Sequence, residues 1–368
     1  VSGVRHLYLH VPFCAHRCGY CDFVTVVGKS HLHGAYVDAL LAELDLERAM
    51  LAPRLATIFL GGGTPTFANT AELERLLRAL PSAREVTVEA NPETVTPELA
   101  ALLSQNRVNR VSLGAQSFQT HLLDVLERRA GAEDVTRAVY VLRDAGFDNI
   151  SLDLIYGIPG QTAADLDRDL DRALELAPEH LSCYELEAKP GTRFTHAHGR
   201  ELERQAEAME TYFEHVVERL TGSGYRWYET ANFARSGERD LRALHNLAYW
   251  EGRDYLGLGI GAVSTVGERR WQNAASLRAY LAALEAGRRP RREYERLPED
   301  VRRRERVMLG LRLDEPLQLD GLTTALDGDA VDRLVTLGLV TSDGDAATLV
   351  LTERGRFLGG RVTSELLA

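Results

Sequence analysis

Six short runs of apolar and β-branched residues, 7–11, 57–60, 85–89, 110–113, 150–155 and 180–186, recur through the first half of the chain with amphipathic stretches between them. Strands that alternate with helices in this way impose a parallel sheet, because parallel neighbours need a long crossover and a helix provides one. Apolar positions at helical spacing over 35–50, 70–80 and 132–145 account for three of the crossovers. That pattern fits a doubly wound sheet or a barrel. The segments that follow the runs separate the two. A cysteine-rich loop follows the first, Gly61-Gly-Gly-Thr-Pro65 the second, Glu89-Ala-Asn-Pro92 the third, Gly114-Ala-Gln-Ser-Phe118 the fourth, and Asp153 to Pro159 the fifth. In a (β/α) barrel the active groups come from the C-terminal ends of successive strands. Five polar or glycine-bearing segments on one rim therefore favour an α/β chain built as a (β/α)6 barrel of TIM type.

The first rim segment reads His10-Val-Pro-Phe-Cys14 and continues to Tyr20-Cys-Asp-Phe23, with Cys14, Cys18 and Cys21 in a C-x3-C-x2-C spacing. Iron–sulfur clusters are held by thiolates at short fixed spacings. Three ligands on a [4Fe–4S] cluster leave one iron open to a small molecule. Structural zinc takes four ligands, usually in paired short spacings, and the remaining cysteine, Cys183, stands alone in an apolar run.

With its flanks, Leu7-Tyr-Leu-His-Val-Pro-Phe-Cys14 and Tyr20-Cys-Asp-Phe23, the loop resembles the radical S-adenosylmethionine (SAM) superfamily. Within it the likeness is to the HemN/HemW branch of oxygen-independent coproporphyrinogen III oxidases and heme chaperones. The resemblance implies the partial radical SAM barrel and an open iron that chelates the amino and carboxylate groups of SAM. It further implies reductive SAM cleavage to a 5′-deoxyadenosyl radical. Residue by residue it implies that Tyr8, Gly62, Glu89, Gln116, Arg128 and Asp153 contact SAM at a primary or second position. Tyr20, Gly63 and Thr64 belong to the same cofactor-binding surface.

Read as residues, the glycines permit close backbone approach, Glu89 offers a carboxylate acceptor, and Gln116 offers both a donor and an acceptor. Arg128 stands in Leu126-Glu-Arg128, where the family usually has Leu-Gly-Arg. No residue is assigned as a catalytic acid or base.

Full oxidases of the branch carry a fourth cysteine two residues after the third and a long N-terminal extension. Here Phe23 occupies that position, and thirteen residues precede Cys14. Both departures make coproporphyrinogen dehydrogenase activity doubtful and match the HemW subgroup. That subgroup also has His245-Asn246-x-x-Tyr249-Trp250, a motif it associates with heme binding. The expectation is a HemW-type protein that binds heme through His245 and transfers it to acceptor hemoproteins. The alternatives are an oxidase of porphyrin biosynthesis and a related radical SAM methyltransferase. Two of the subgroup's frequent histidines are absent, at Ala130 and Val263. Expected partners are heme or another porphyrin and a reductant such as flavodoxin or ferredoxin, and peripheral membrane association also fits the reading.

The expected division is 1–224 for the radical SAM core, 225–290 for a segment specific to the branch, and 291–368 for a small winged-helix-like α+β domain. The net charge of −11 argues against broad capture of nucleic acid. A DNA-binding regulator, suggested by the winged-helix-like tail, is disfavoured further by its acidic segment 314–345. The sequence shows no long apolar span or leader, and its few clustered cysteines fit a reducing compartment, so the expected location is cytoplasmic.

Overall fold

The computed structural model describes residues 3–189, 193–345 and 347–367. Six parallel strands form its centre: β1 (His6–Val11), β2 (Leu55–Gly62), β3 (Ala83–Ala90), β4 (Arg110–Gln116), β5 (Ile150–Tyr156) and β6 (His180–Glu185). They lie side by side in chain order, as right-handed crossovers through helices require. These are the six runs read from the sequence, the first five extended by one to four residues and the sixth ending one residue earlier.

One further parallel neighbour was not foreseen. Tyr255–Leu258 pairs with the free side of β1, with His6 opposite Tyr255 and Leu9 opposite Leu258. Beyond it, antiparallel strands Val263–Val266, Arg269–Asn273 and Arg292–Arg296 complete that edge. At the other edge, Asn232–Arg235 and then Tyr225–Trp227 pack antiparallel beside β6. The twelve-stranded sheet ends in these two edges, so the barrel is partial. Between these two strands the chain turns, with Glu229 accepting from the amide of Ala231 at 3.0 Å.

The helices begin where side chains satisfy the free amides of the first turn. Asn69 accepts from Ala71 and Glu72 ahead of helix Thr70–Ala79. Thr162 and Asp165 form a capping box for Ala163–Glu175. Ser276 caps Leu277–Glu285, which stops near Gly287 at φ 67°. The C-terminal segment has its own core around Val307, Leu334 and Leu349, with helices Glu299–Gly310 and Gly328–Thr336 and a hairpin of Val340–Asp343 with Thr348–Leu351. Strand Leu317–Gln318 joins that hairpin as a third strand, giving the winged-helix-like module.

Side chains on β1–β6 alternate strictly, as pleated strands require. Leu7, Leu9, Ile58, Leu60, Val86, Val88, Val111, Leu113, Leu152 and Leu181 belong to the apolar core packed by the helices. The intervening positions carry Tyr8, His10, Thr57, Glu85, Thr87, Glu89, Arg110, Ser112, Ser151, Asp153, His180 and Ser182. The barrel interior is therefore polar.

The added strands are tied to the first helix, His33–Glu47, by Glu43, with Glu47 also accepting from Arg292 at 2.7 Å. Glu43 is fully buried. It accepts from the Gly259 amide at 2.8 Å, Tyr280 Oη at 2.7 Å, Asn273 Nδ2 at 2.7 Å and Arg292 Nη2 at 3.2 Å. Removing it leaves buried donors without an acceptor. Glu43→Ala is expected to cost on the order of 3 kcal/mol in urea unfolding, with Glu43→Gln milder. A loss within experimental error for Glu43→Ala would contradict this assignment.

Candidate metal centre and cofactor pocket

A cavity of about 520 Å³ opens at the C-terminal ends of β1–β6. Cys14, Cys18 and Cys21 line it together with Tyr20, Gly62, Gly63, Thr64, Glu89, Gln116, Arg128 and Asp153. All five rim segments read from the sequence thus meet at one place. Asn91, Ser112 and Tyr184 line it too; Asn91 lay within a segment read as rim, whereas Ser112 and Tyr184 carried no signal of their own.

The cysteine loop is tied down at both ends and in the middle. The amide of Val26 donates to the Pro12 carbonyl at 2.8 Å, and the amides of Gly63 and Thr64 donate to Val11 and Phe13 at 2.9 Å. His16 Nε2 donates to the carbonyl of Glu127 at 2.6 Å. Burial pushes the Cys14 and Cys21 thiols up, so binding iron there releases protons. Among the described residues no three His, Cys, Asp or Glu side chains converge as they would on one metal ion. A [4Fe–4S] cluster needs no such convergence, since each iron takes its own thiolate. Three soft donors on one wall of a roomy cavity fit that group.

The glycines after β2 are required by close packing of protein against protein. A Cβ on Gly62 would stand 2.4 Å from the His10 ring, and one on Gly63 2.5 Å from the Pro12 backbone. Gly62 also has φ 108°, which L residues rarely adopt. Its amide donates to Glu89 Oε2 at 3.0 Å. Burial first, and then the neighbouring Asp153 carboxylate, push Glu89 up to about 7. Asp153 is raised by burial as well, although the Ser112 hydroxyl bonds its two oxygens at 3.1 and 3.2 Å.

On β4 the register shifts between Gly114 and Gln116, and Gln116 sits at φ 66°. A bulge with a left-handed non-glycine residue re-aims a side chain at some backbone cost; here Gln116 turns into the cavity. Arg128 is held by the Gly114 carbonyl at 2.7 Å and Asn91 Oδ1 at 3.1 Å. Its Nη1 donates to Cys18 Sγ at 3.8 Å. The arginine thus joins two rim segments to the cysteine loop.

Tyr8 and His245 do not line the cavity. Tyr8 lies below it, with its hydroxyl 3.1 Å from His10 Nδ1. His245, the residue expected to bind heme, is buried away from the cavity. It opens helix Leu244–Trp250 under the barrel and is 1 % exposed. Its Nδ1 is 2.7 Å from Thr57 Oγ1 and its Nε2 is 2.9 Å from Tyr249 Oη. Both ring nitrogens have hydrogen-bonding partners. The His-x3-Tyr spacing of that motif builds this buried bond between one helical turn and the next.

Burial pulls the His245 pKa down to about 3. The unfolded chain binds a proton there below its ordinary value of 6.5 while the folded chain does not. The stability that this histidine contributes is present above pH 6.5 and is lost as pH falls toward 3. His180, lowered by the same cause, adds to the effect. The urea midpoint is therefore expected to be lower at pH 5 than at pH 7.5, with His245→Gln narrowing the difference. Equal midpoints would contradict it.

Over residues 8–173 the chain matches the radical SAM superfamily. It is 36 % identical to the heme chaperone HemW of Mycobacterium tuberculosis, covering 98 % of this chain and 94 % of that protein. It is 33 % identical to the heme chaperone HemW of Bacillus subtilis over 99 % of both chains. Among solved structures, coproporphyrinogen III oxidase (HemN) of Escherichia coli, a radical SAM enzyme, superposes with a TM-score of 0.83 at 26 % identity, covering 99 % of this chain and 90 % of that one. The chain belongs to the radical SAM superfamily and, within it, to the HemW family.

Proposed function

We propose that this protein holds a [4Fe–4S] cluster on Cys14, Cys18 and Cys21, binds SAM in the adjoining cavity, and binds heme for transfer to acceptor hemoproteins. The observation that carries the heme reading is the likeness to HemW heme chaperones along nearly the whole chain. Membership of the radical SAM superfamily implies the cluster and SAM. When bound and reduced, a cluster with one open iron supplies the electron that breaks the sulfonium of SAM. An external one-electron donor of the flavodoxin or ferredoxin class provides that electron.

The chain's own residues do the rest. The Gly62 amide and the Ser112 hydroxyl orient the Glu89 and Asp153 carboxylates as acceptors for a ribose or an amino group. Arg128 places a cation and a hydrogen bond at the Cys18 sulfur, which biases the potential of a cluster held there. Tyr20 stays a neutral phenol, because burial raises it far above the working range.

At the cavity mouth Phe23 is 61 % exposed and Tyr184 43 % exposed. Two exposed aromatic side chains beside a cavity suit the flat face of a porphyrin. Among the described residues no helix is long and apolar enough to cross a membrane.

The second reading, porphyrinogen oxidation, is favoured by the likeness to the HemN oxidase structure. Phe23 stands against it, at the position where the resemblance expects a fourth cysteine.

The anaerobically reconstituted protein is expected to bind heme in a simple stoichiometric titration and to pass it to an apo-hemoprotein, without decarboxylating coproporphyrinogen III. Cys18→Ala is expected to lose the cluster absorption and all 5′-deoxyadenosine formation from SAM. Decarboxylation by the wild-type protein would move the assignment to the oxidase. Absence of saturable heme binding would remove the chaperone reading.

A further inference from the structure

Directly beneath the cavity floor lies a cation that neither the cluster nor the rim accounts for. Arg110 is on β4, and Ser112, Gly114 and Gln116, the next residues on its face of the strand, all line the cavity. It is 2 % exposed, and its Nε has no hydrogen-bond partner. Across the sheet it is register-paired with Thr87 on β3, whose buried hydroxyl likewise has no partner. An arginine so placed forgoes hydration without a full set of bonds in return. Such a position is costly unless its charge serves something nearby.

What surrounds Arg110 is negative. Glu89 and Asp153 stand above it on the neighbouring strands β3 and β5, and Glu85 stands on β3 two residues before Thr87. The charge of Arg110 acts on all three carboxylates. Glu85 is already engaged, accepting from the amides of Leu244 and His245 at 3.1 Å. Glu89 and Asp153 are left facing one another at the cavity floor.

We propose that Arg110 is a positioning residue that holds the Glu89–Asp153 pair ionised from beneath, so that both carboxylates accept hydrogen bonds from SAM. The inference rests on the reading above that this pair meets SAM.

The other titratable groups around the pair cannot perform this task. Tyr8 from β1, Tyr20 from the cysteine loop, Tyr184 at the end of β6, Tyr249 from the helix below and Tyr228 all have raised pKa values and stay neutral phenols. Cys183 stays a thiol for the same reason, and burial keeps His10, His180 and His245 neutral. Arg128 lies at the rim with its Nη2 on Gly114 and Asn91 and its Nη1 on Cys18. Arg17 donates to the Cys21 carbonyl and Lys189 lies by Asp22 and Glu187, so Arg110 is the buried cation whose charge bears on both carboxylates. Burial and mutual repulsion drive the pair toward protonation, and Arg110 opposes both.

The test is SAM affinity of the anaerobically reconstituted protein across pH 5.5 to 9, by equilibrium dialysis, for wild type and variants. Wild-type affinity is expected to fall as pH drops through about 7, where Glu89 takes up its proton. In Arg110→Met that midpoint is expected to rise by about one unit or more, the lower end of what an adjacent opposite charge produces. Arg110→Gln, which keeps polarity and removes the charge, is expected to show the same rise if the Met variant does not fold. Arg110→Lys is expected to hold the wild-type midpoint.

A uniform loss of affinity with an unmoved midpoint in Met or Gln, or a raised midpoint in Lys, overturns the proposal. Glu89→Gln separates this from the underlying reading. If it keeps wild-type affinity and pH profile, the SAM role of Glu89 fails. If it is altered while the Arg110 variants are not, only the inference about Arg110 fails.

Discussion

Parallel strands covered by helices are ordinarily apolar on both faces and read as continuous hydrophobic runs. In β1–β6 only the helix-facing side follows that rule, while the other side encloses carboxylates, histidines, hydroxyls and one arginine. Every polar group placed there has left water and needs a partner, so the interior becomes a set of bonds between strands. Thr57 stands between His6 and His245 at 2.9 and 2.7 Å. Ser151 is 2.8 Å from one nitrogen of His180, and Tyr228 is 2.8 Å from the other. Ser112 joins β4 to Asp153 on β5. These bonds set where each strand ends, and the strand ends are the site.

The same interior explains how the later part of the chain is attached. Helix Leu244–Trp250 is seated by Glu85, whose carboxylate receives its first amides, a favourable place for negative charge. His245 continues the contact into the barrel through Thr57. Its neighbours Phe59 and Tyr8 pack ring against ring, at centroid distances of 5.2 and 6.5 Å. The His-Asn-x-x-Tyr-Trp motif thus acts in this fold as a plug under the barrel, at the end opposite the cysteine loop.

The sequence disclosed the strands, the rim and the cysteine loop because each is local. Alternating residues over a few positions, glycine at a strand end and three clustered thiols all act at short range. It concealed what depends on distant pairing. Tyr255–Leu258 joins β1 across nearly the whole chain, and nothing in Tyr-Leu-Gly-Leu distinguishes that strand from a loop. Arg110 reads in sequence as the polar start of an apolar run, and only the register with Thr87 shows it to be interior. The surroundings of His245 were hidden for a related reason: the spacing of its motif does not disclose the buried aromatic cluster around it. The glycines at the end of β2 stand out in the sequence, but the backbone and ring contacts that require them come from β1 and the residues after it.

The scaffold is similar along its length to that of the HemN oxidase, and the chain is similar to HemW heme chaperones. The central claim is that Cys14, Cys18 and Cys21 hold a four-iron cluster with one iron left for SAM. Mössbauer spectroscopy of the ⁵⁷Fe-reconstituted protein, before and after SAM, tests it most directly. One iron in four is expected to change its isomer shift and quadrupole splitting when SAM is added, with the other three unmoved. Four irons that all ignore SAM, or a two-iron spectrum, would contradict the account.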